Sequence, residues 1–135
     1  MKTENLEADM TILSKEKSLA LLRLTFNKIE NGWTKGAFAK NAENKIVNFD
    51  DKSAQKFCLY GAIKNSALEL DINIKEIEEI VSKLTTTKTI CLPEFIRKQT
   101  PWFVVSQWND SVNTKIEDVL SLLKRLIIAI DNNWD

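Results

Sequence analysis

Residues 116–130 read IEDVLSLLKRLIIAI, and ten of these fifteen positions are apolar. A helix on the surface of a globular domain carries one apolar stripe, about three to four residues in every two turns. Here Ile116, Val119, Leu120, Leu122, Leu123, Leu126, Ile127, Ile128, Ala129 and Ile130 wrap most of the circumference. The run falls short of the roughly 20 apolar residues of a membrane-spanning helix. It is therefore predicted to be buried on several sides, and the rest of the chain must supply amphipathic partners to cover it. Thr114-x-x-Glu117 reads as a capping box that opens this helix, expected over residues 114–134.

Those partners are legible. Residues 14–31 place Leu19, Leu22, Phe26 and Ile29 at helical spacing, with Leu21 and Leu24 widening the face. Gly32 suits the left-handed position that ends a helix, and Trp33 is expected to fold back over the last turn. Two short apolar runs, 37–39 and 46–49, flank an Asn-rich centre and predict a small β-hairpin. Asp50, Asp51 and Ser53 supply capping oxygens for a second helix reaching about Leu70. Its stripe of small residues, Ala54, Cys58, Gly61, Ala62 and Asn65, predicts the close approach of another helix. Asn73 and Glu76 form a capping box for a third, with Ile74, Ile77, Ile80, Val81 and Leu84 inward and the acidic residues in solvent. Pro93 opens a short turn of helix through Lys98, and Pro101 disfavours a helical Thr100.

The fold class that follows is mainly α: a single-domain compact bundle of four or five helices with a small β-hairpin between the first and second. Residues 1–13 are expected to be a flexible N-terminal segment and 14–135 one helical domain, since 135 residues with 44% hydrophobic content suit one core.

What chemistry is excluded depends on composition. The chain has no histidine, which removes the usual general base at neutral pH and the His-based nucleophile pairs and metal sites. Cys58 and Cys91 lie far apart with no CxxC spacing. Cys58 is expected to be a buried packing residue with a raised pKa; Cys91, beside Leu92 and Pro93, is the more exposed thiol and lacks a recognisable base. Gly32, Gly36 and Gly61 form no phosphate-cradling pattern. Lys plus Arg equals Asp plus Glu at 19 each, so no global field draws in nucleic acid or an anionic membrane. A local basic set, Arg97, Lys98, Trp102, Lys124 and Arg125, is too sparse to make nucleic acid the favoured ligand. No catalytic residue, metal site or cofactor is assigned. Without an apolar segment of spanning length or a leader pattern in residues 1–13, a cytoplasmic protein is expected.

The stretch TPWFVVSQWND, residues 100–110, reads as a connection. Asn109 and Asp110 are expected to accept hydrogen bonds from backbone N–H groups just ahead and so set the start of the last helix, with Trp108 buried against the core. The competing reading keeps Asp110 free in a cleft. The environment of Asp110 separates the two.

Gly32-Trp33, then Gly36-Ala37, then Ala54-x-x-Phe57-Cys58-Leu59-x-Gly61-Ala62, then Trp108-Asn109-Asp110, then Val119-Leu120-x-Leu122-Leu123 follow one another in an order that resembles a family of small uncharacterised proteins of bacteria and their phages, a domain of unknown function. The resemblance covers about residues 14–130. It departs after Asp110, where such proteins often carry a Pro-Gly turn and an Arg and this chain has Ser111-Val112-Asn113-Thr114. It implies a helical fold and brings no activity, substrate or catalytic residue.

The favoured reading is a non-catalytic interaction or regulatory module with a partner protein or a second copy of itself, in a phage-related setting. Its contact face is expected on the last helix, where Ile128 falls inside a polar stripe with Ser121, Arg125 and Asn132. The alternative is a small-ligand-binding protein or enzyme using an aromatic pocket of Trp33, Tyr60, Trp102, Trp108 and Asp110.

Overall fold

The computed structural model describes residues 13–87, 89–90 and 92–132. Its elements run α1 (Lys15–Asn31), β1 (Ala39–Lys40), β2 (Ile46–Val47), β3 (Lys56–Phe57), α2 (Leu59–Glu69), α3 (Ile74–Thr85), α4 (Glu94–Arg97), α5 (Pro101–Asp110) and α6 (Ile116–Asp131). The fold is mainly α, with six helices among the described residues rather than four or five. Residues 1–12, the thiol of Cys91 and the expected end of the last helix at Trp134 lie outside the described residues; Leu13, the last residue of the expected flexible segment, is buried.

α1 begins where the Ser14 hydroxyl accepts from Lys17 N–H at 3.2 Å and lays Leu19, Leu22 and Ile29 against the core. α6 packs along it, and α2 covers its flank. In α6 the buried residues are Val119, Leu122, Leu123, Leu126 and Ile130, one broad face. Ile116, Leu120 and Ile127 are half-buried on its flanks, so the helix is less enclosed than its composition predicts. Each fully buried Leu or Ile contributes about 1.5–3 kcal/mol, and α1 packs more extensively on α6 than on any other element. The expected Thr114 cap is not used: the Thr114 hydroxyl donates back to Trp108 O at 2.7 Å, while Asp118 accepts from Lys115 N–H at 2.8 Å and closes the first turn.

The hairpin forms, with Ala39 paired to Val47 and Lys40 to Ile46. A third strand joins its other edge, Ala39 to Phe57 and Lys40 to Lys56, in the order β2-β1-β3. This strand occupies the first turn of the helix expected from Ser53. The capping oxygen supplied by Asp51 serves a turn instead, accepting from Ser53 N–H at 2.8 Å and Ser53 Oγ at 2.6 Å. The helix starts six residues later, at Leu59. A parallel bridge then ties Trp33 to Phe57 through Phe57 N–H to Gly32 O and Thr34 N–H to Phe57 O.

Two glycines are explained by close approach rather than as expected. Gly32 has an extended φ of −179°, and a Cβ there would lie 2.3 Å from Gln55 O. At Gly61 a Cβ would lie 2.0 Å from Phe38 O; the small-residue position admits the backbone leading into β1, not another helix. α3 opens with the expected capping box, Asn73 accepting from Lys75 N–H and Glu76 from Asn73 N–H. It buries Ile77, Ile80, Val81 and Leu84 against α2 and α5, whereas Ile74 points to solvent.

Candidate functional site

α5 organises two neighbouring places, one at each end. The stretch read as a connection is this helix: Pro101 occupies its first turn, where its missing N–H costs nothing, and Trp108, Asn109 and Asp110 form its last. Asn109 is fully buried and reaches backwards along the chain rather than towards α6. Its Oδ1 accepts from the Trp33 indole N–H at 2.7 Å and from Leu59 N–H at 3.0 Å. Its Nδ2 donates to Thr34 O at 3.1 Å and to Asp110 Oδ1 at 3.0 Å. An Asn side chain offers two acceptor positions and two donors, and all four are satisfied. Leu59 is the first residue of α2, so Asn109 caps a helix 50 residues away, supplementing the weak acceptor Cys58 Sγ, which takes Gly61 N–H at 3.3 Å.

Asp110 extends this junction. Its Oδ1 also accepts from Gly36 N–H at 3.0 Å, and Gly36 holds a φ of +79°, the one position where glycine's freedom is required by conformation. Lys35 Nζ donates to Ser111 O at 2.6 Å at the end of α5 and lies 5.4 Å from the Trp33 ring centre. The Asp110 side chain is exposed and borders an open pocket of about 340 Å³ with Gly36, Phe38, Cys58 and Ser106. Burial above all pushes the Cys58 thiol up to about 11; the Asp110 charge adds to this and the Gly61 hydrogen bond opposes it. The thiol stays protonated at neutral pH and is a poor nucleophile. It sits at the cap of α2, not in mid-helix.

The other end of α5 is built differently. Tyr60, the second residue of α2, and Trp102, the second of α5, bring their rings to 5.9 Å at 31°. Phe38 meets both edge-on, at 5.6 Å from Tyr60 and 6.4 Å from Trp102. Beside them runs a groove of about 500 Å³. Its floor is Ile77 and Val81, one turn apart on α3; Glu78 and Ser82, one step round that helix, make one rim, and Thr100 and Pro101 close the end by Trp102. Trp102 is 43% exposed. The Tyr60 phenol is pushed up, by burial first and then by the Glu78 charge.

The five residues read as one aromatic pocket are thus divided. Tyr60 and Trp102 share the groove; Asp110 borders the other pocket; Trp33 is tied to Asn109, and Trp108 is core at 5% exposure. Ile77, Glu78 and Val81 were missed as groove residues, and Phe38 as the ring that backs Tyr60 and Trp102. The spacing of Ile77 and Val81 was readable as core, and they are core, at 1% and 2% exposure; nothing local says that a groove opens beside them. Ser121, Arg125, Ile128 and Asn132 do share the outer face of α6, where Ile128 is 52% exposed and Arg125 Nη1 donates to Thr89 Oγ1 at 3.0 Å.

The short motifs behind the sequence resemblance, around Trp33, Gly36, Leu59 and Asn109, meet at the Asn109 junction. A comparison with protein families agrees with that resemblance: DUF6197, a family of unknown function, matches residues 16–129. The chain belongs to the DUF6197 family. No curated protein and no solved structure matches it. In this DUF6197 member the matched span contains both ends of α5, the junction and the groove. No helix among its described residues is long and apolar enough to cross a membrane.

Proposed function

We propose that this DUF6197 protein is a non-catalytic interaction module and that it takes a segment of a partner protein in the groove between α2, α3 and α5. The observation that carries this reading is the pair Tyr60 and Trp102, in contact with each other beside a mainly apolar channel of about 500 Å³ that the described residues leave open. Exposed aromatic residues around a groove with a polar rim are the composition of a recognition surface. The catalytic alternative is less well supported: the thiol in the adjoining pocket is held protonated, and one oxygen of Asp110 accepts two internal hydrogen bonds. A cytoplasmic, phage-related or regulatory setting belongs to the same proposal. Its support is the sequence resemblance and the free, buried Cys58 thiol, which suits a reducing compartment.

Selection of a random peptide library on the wild-type protein tests the reading. Selected peptides are expected to shift the backbone resonances of Tyr60, Val81 and Trp102 and to lose binding to the Tyr60→Ala/Trp102→Ala variant. Peptides that bind this variant undiminished, or that map to Ser121, Arg125, Ile128 and Asn132 on α6, would transfer the contact surface away from the groove.

A further inference from the structure

If the groove receives a partner segment, as proposed above, its chemistry narrows what that segment must carry. Among the described residues the groove is bordered by two carboxylates, Glu78 and Glu79, and by no Lys or Arg. Glu79 already pairs with Lys83 Nζ at 3.9 Å. Glu78 has no ion pair among the described residues, yet its charge is felt at the Tyr60 phenol across the groove. The aromatic wall presents the rings that attract cations most strongly, Trp before Tyr. The exposed ring carbons of Pro101 beside Trp102 suit the methylene stem of a long basic side chain, which buries its carbons and keeps its head polar.

The aromatic group shows this behaviour towards a residue of its own chain. Lys64, one turn after Tyr60 on α2, places its Nζ 4.2 Å from the Phe49 ring centre, 5.4 Å from Phe38 and 5.5 Å from Tyr60. Three rings thus surround an ammonium that has no carboxylate partner among the described residues. Trp102, by contrast, faces no cation within the described chain. Lys64 opposes a second cation at Tyr60, but repulsion between partly hydrated charges is screened over about 8 Å at physiological ionic strength. Glu78 stands on the rim of the groove itself.

We infer that the groove takes a basic side chain, arginine ahead of lysine, from a segment of the partner protein, its stem along Pro101 and its charge between Trp102 and Glu78. Arginine is favoured because its planar, weakly hydrated head stacks on an aromatic face while its edge donates to a carboxylate.

The test uses three synthetic peptides that are identical except for a central arginine, citrulline or glutamate, with N-acetylarginine amide as the free-group control. Affinities of the wild type and of every variant are measured by titration calorimetry, and in the wild type the site of binding is read through the Trp102 indole resonance, assigned with Trp102→Phe. The arginine peptide is expected to bind about ten-fold tighter than its citrulline isostere, the glutamate peptide weakest, and the free amide weaker than the peptide. Glu78→Gln should erase most of the arginine preference and leave citrulline affinity unchanged. Equal binding of arginine and citrulline peptides, lost in Trp102→Ala, overturns the basic-residue inference while the docking groove stands. Arginine binding unaffected by Trp102→Ala removes the groove reading and the inference together, as does the failure of every peptide to move the indole resonance. A free amide that binds as tightly as the peptide overturns the partner segment as the source of the charge.

Discussion

The two ends of α5 use the same kinds of side chain to opposite effect. At its C-terminal end an aromatic ring, an amide and a carboxylate converge, and every hydrogen-bonding position of Asn109 is filled from within the chain. At its N-terminal end two aromatic rings and a carboxylate converge beside a channel that no side chain of the described residues fills. Leu59 and Tyr60 make the contrast sharpest, because these sequence neighbours serve different places: the N–H of one is held by Asn109 and the ring of the other lines the groove. A polar cluster is therefore no guide to a functional site until its partners are counted. What distinguishes a binding surface from a structural corner is unfilled capacity.

The largest effect expected from breaking the contrast is at Asn109. Asn109→Ala would leave the Trp33 indole N–H, Leu59 N–H and Thr34 carbonyl without their partner. A loss of about 3–5 kcal/mol in urea unfolding is expected, the range for a broken buried network. A loss below about 1 kcal/mol would mean that water replaces the amide and that the junction is less closed than it looks.

Cys58 gives the next largest effect, through pH. Its folded pKa of about 11 lies above the unfolded value of about 8.5. The stability it confers is complete below about pH 8.5 and is lost as pH rises through about 11, amounting to roughly 3 kcal/mol. Urea midpoints of the wild type should fall more steeply across that window than those of Cys58→Ala. Parallel curves would show that the thiol is hydrated.

Trp102→Ala is expected to cost only about 1–2 kcal/mol, because the ring is partly exposed and its loss removes edge contacts rather than core. It should nevertheless abolish peptide binding. A loss as large as that of Asn109→Ala would make the two ends of α5 equivalent and the groove a structural feature. The smallest effect belongs to Ile128→Asp, within about 0.5 kcal/mol of wild type because the side chain faces solvent. Light scattering of that variant reads the α6 face directly: a drop in association at unchanged stability would establish a second contact surface.

Elements whose signals are local were legible from the residues themselves. α1, α3 and the body of α6 follow from apolar periodicity and caps within a few residues, and the β1–β2 hairpin from two apolar runs around a polar centre. α5 was not, although Thr100-Pro101 was a usable start signal. Its apolar residues, Trp102, Phe103, Val104, Val105 and Trp108, lie too close together to show a helical period. β3 was hidden for a different reason: Lys56 and Phe57 have no strand signature of their own, and they are extended because the free edge of β1 and the backbone of residues 32–34 offer them partners.

For the candidate site, the sequence by itself determined which side chains were available: Tyr60 and Trp102 for an aromatic wall, a chain without histidine, and Ile128 turned outward on α6. Helical spacing decides such matters, because the angle between residues a turn apart is set by backbone geometry alone. Only the tertiary structure decided that Trp33 and Trp108 leave the proposed pocket, that Asn109 is satisfied from residues 50 to 76 positions away, and that Glu78 edges a groove instead of merely facing solvent. Those outcomes depend on which helix ends meet and on how far α5 extends over α3. Hydrogen bonds and uncovered apolar surface are set by such meetings between distant segments, and no local pattern in the chain encodes them.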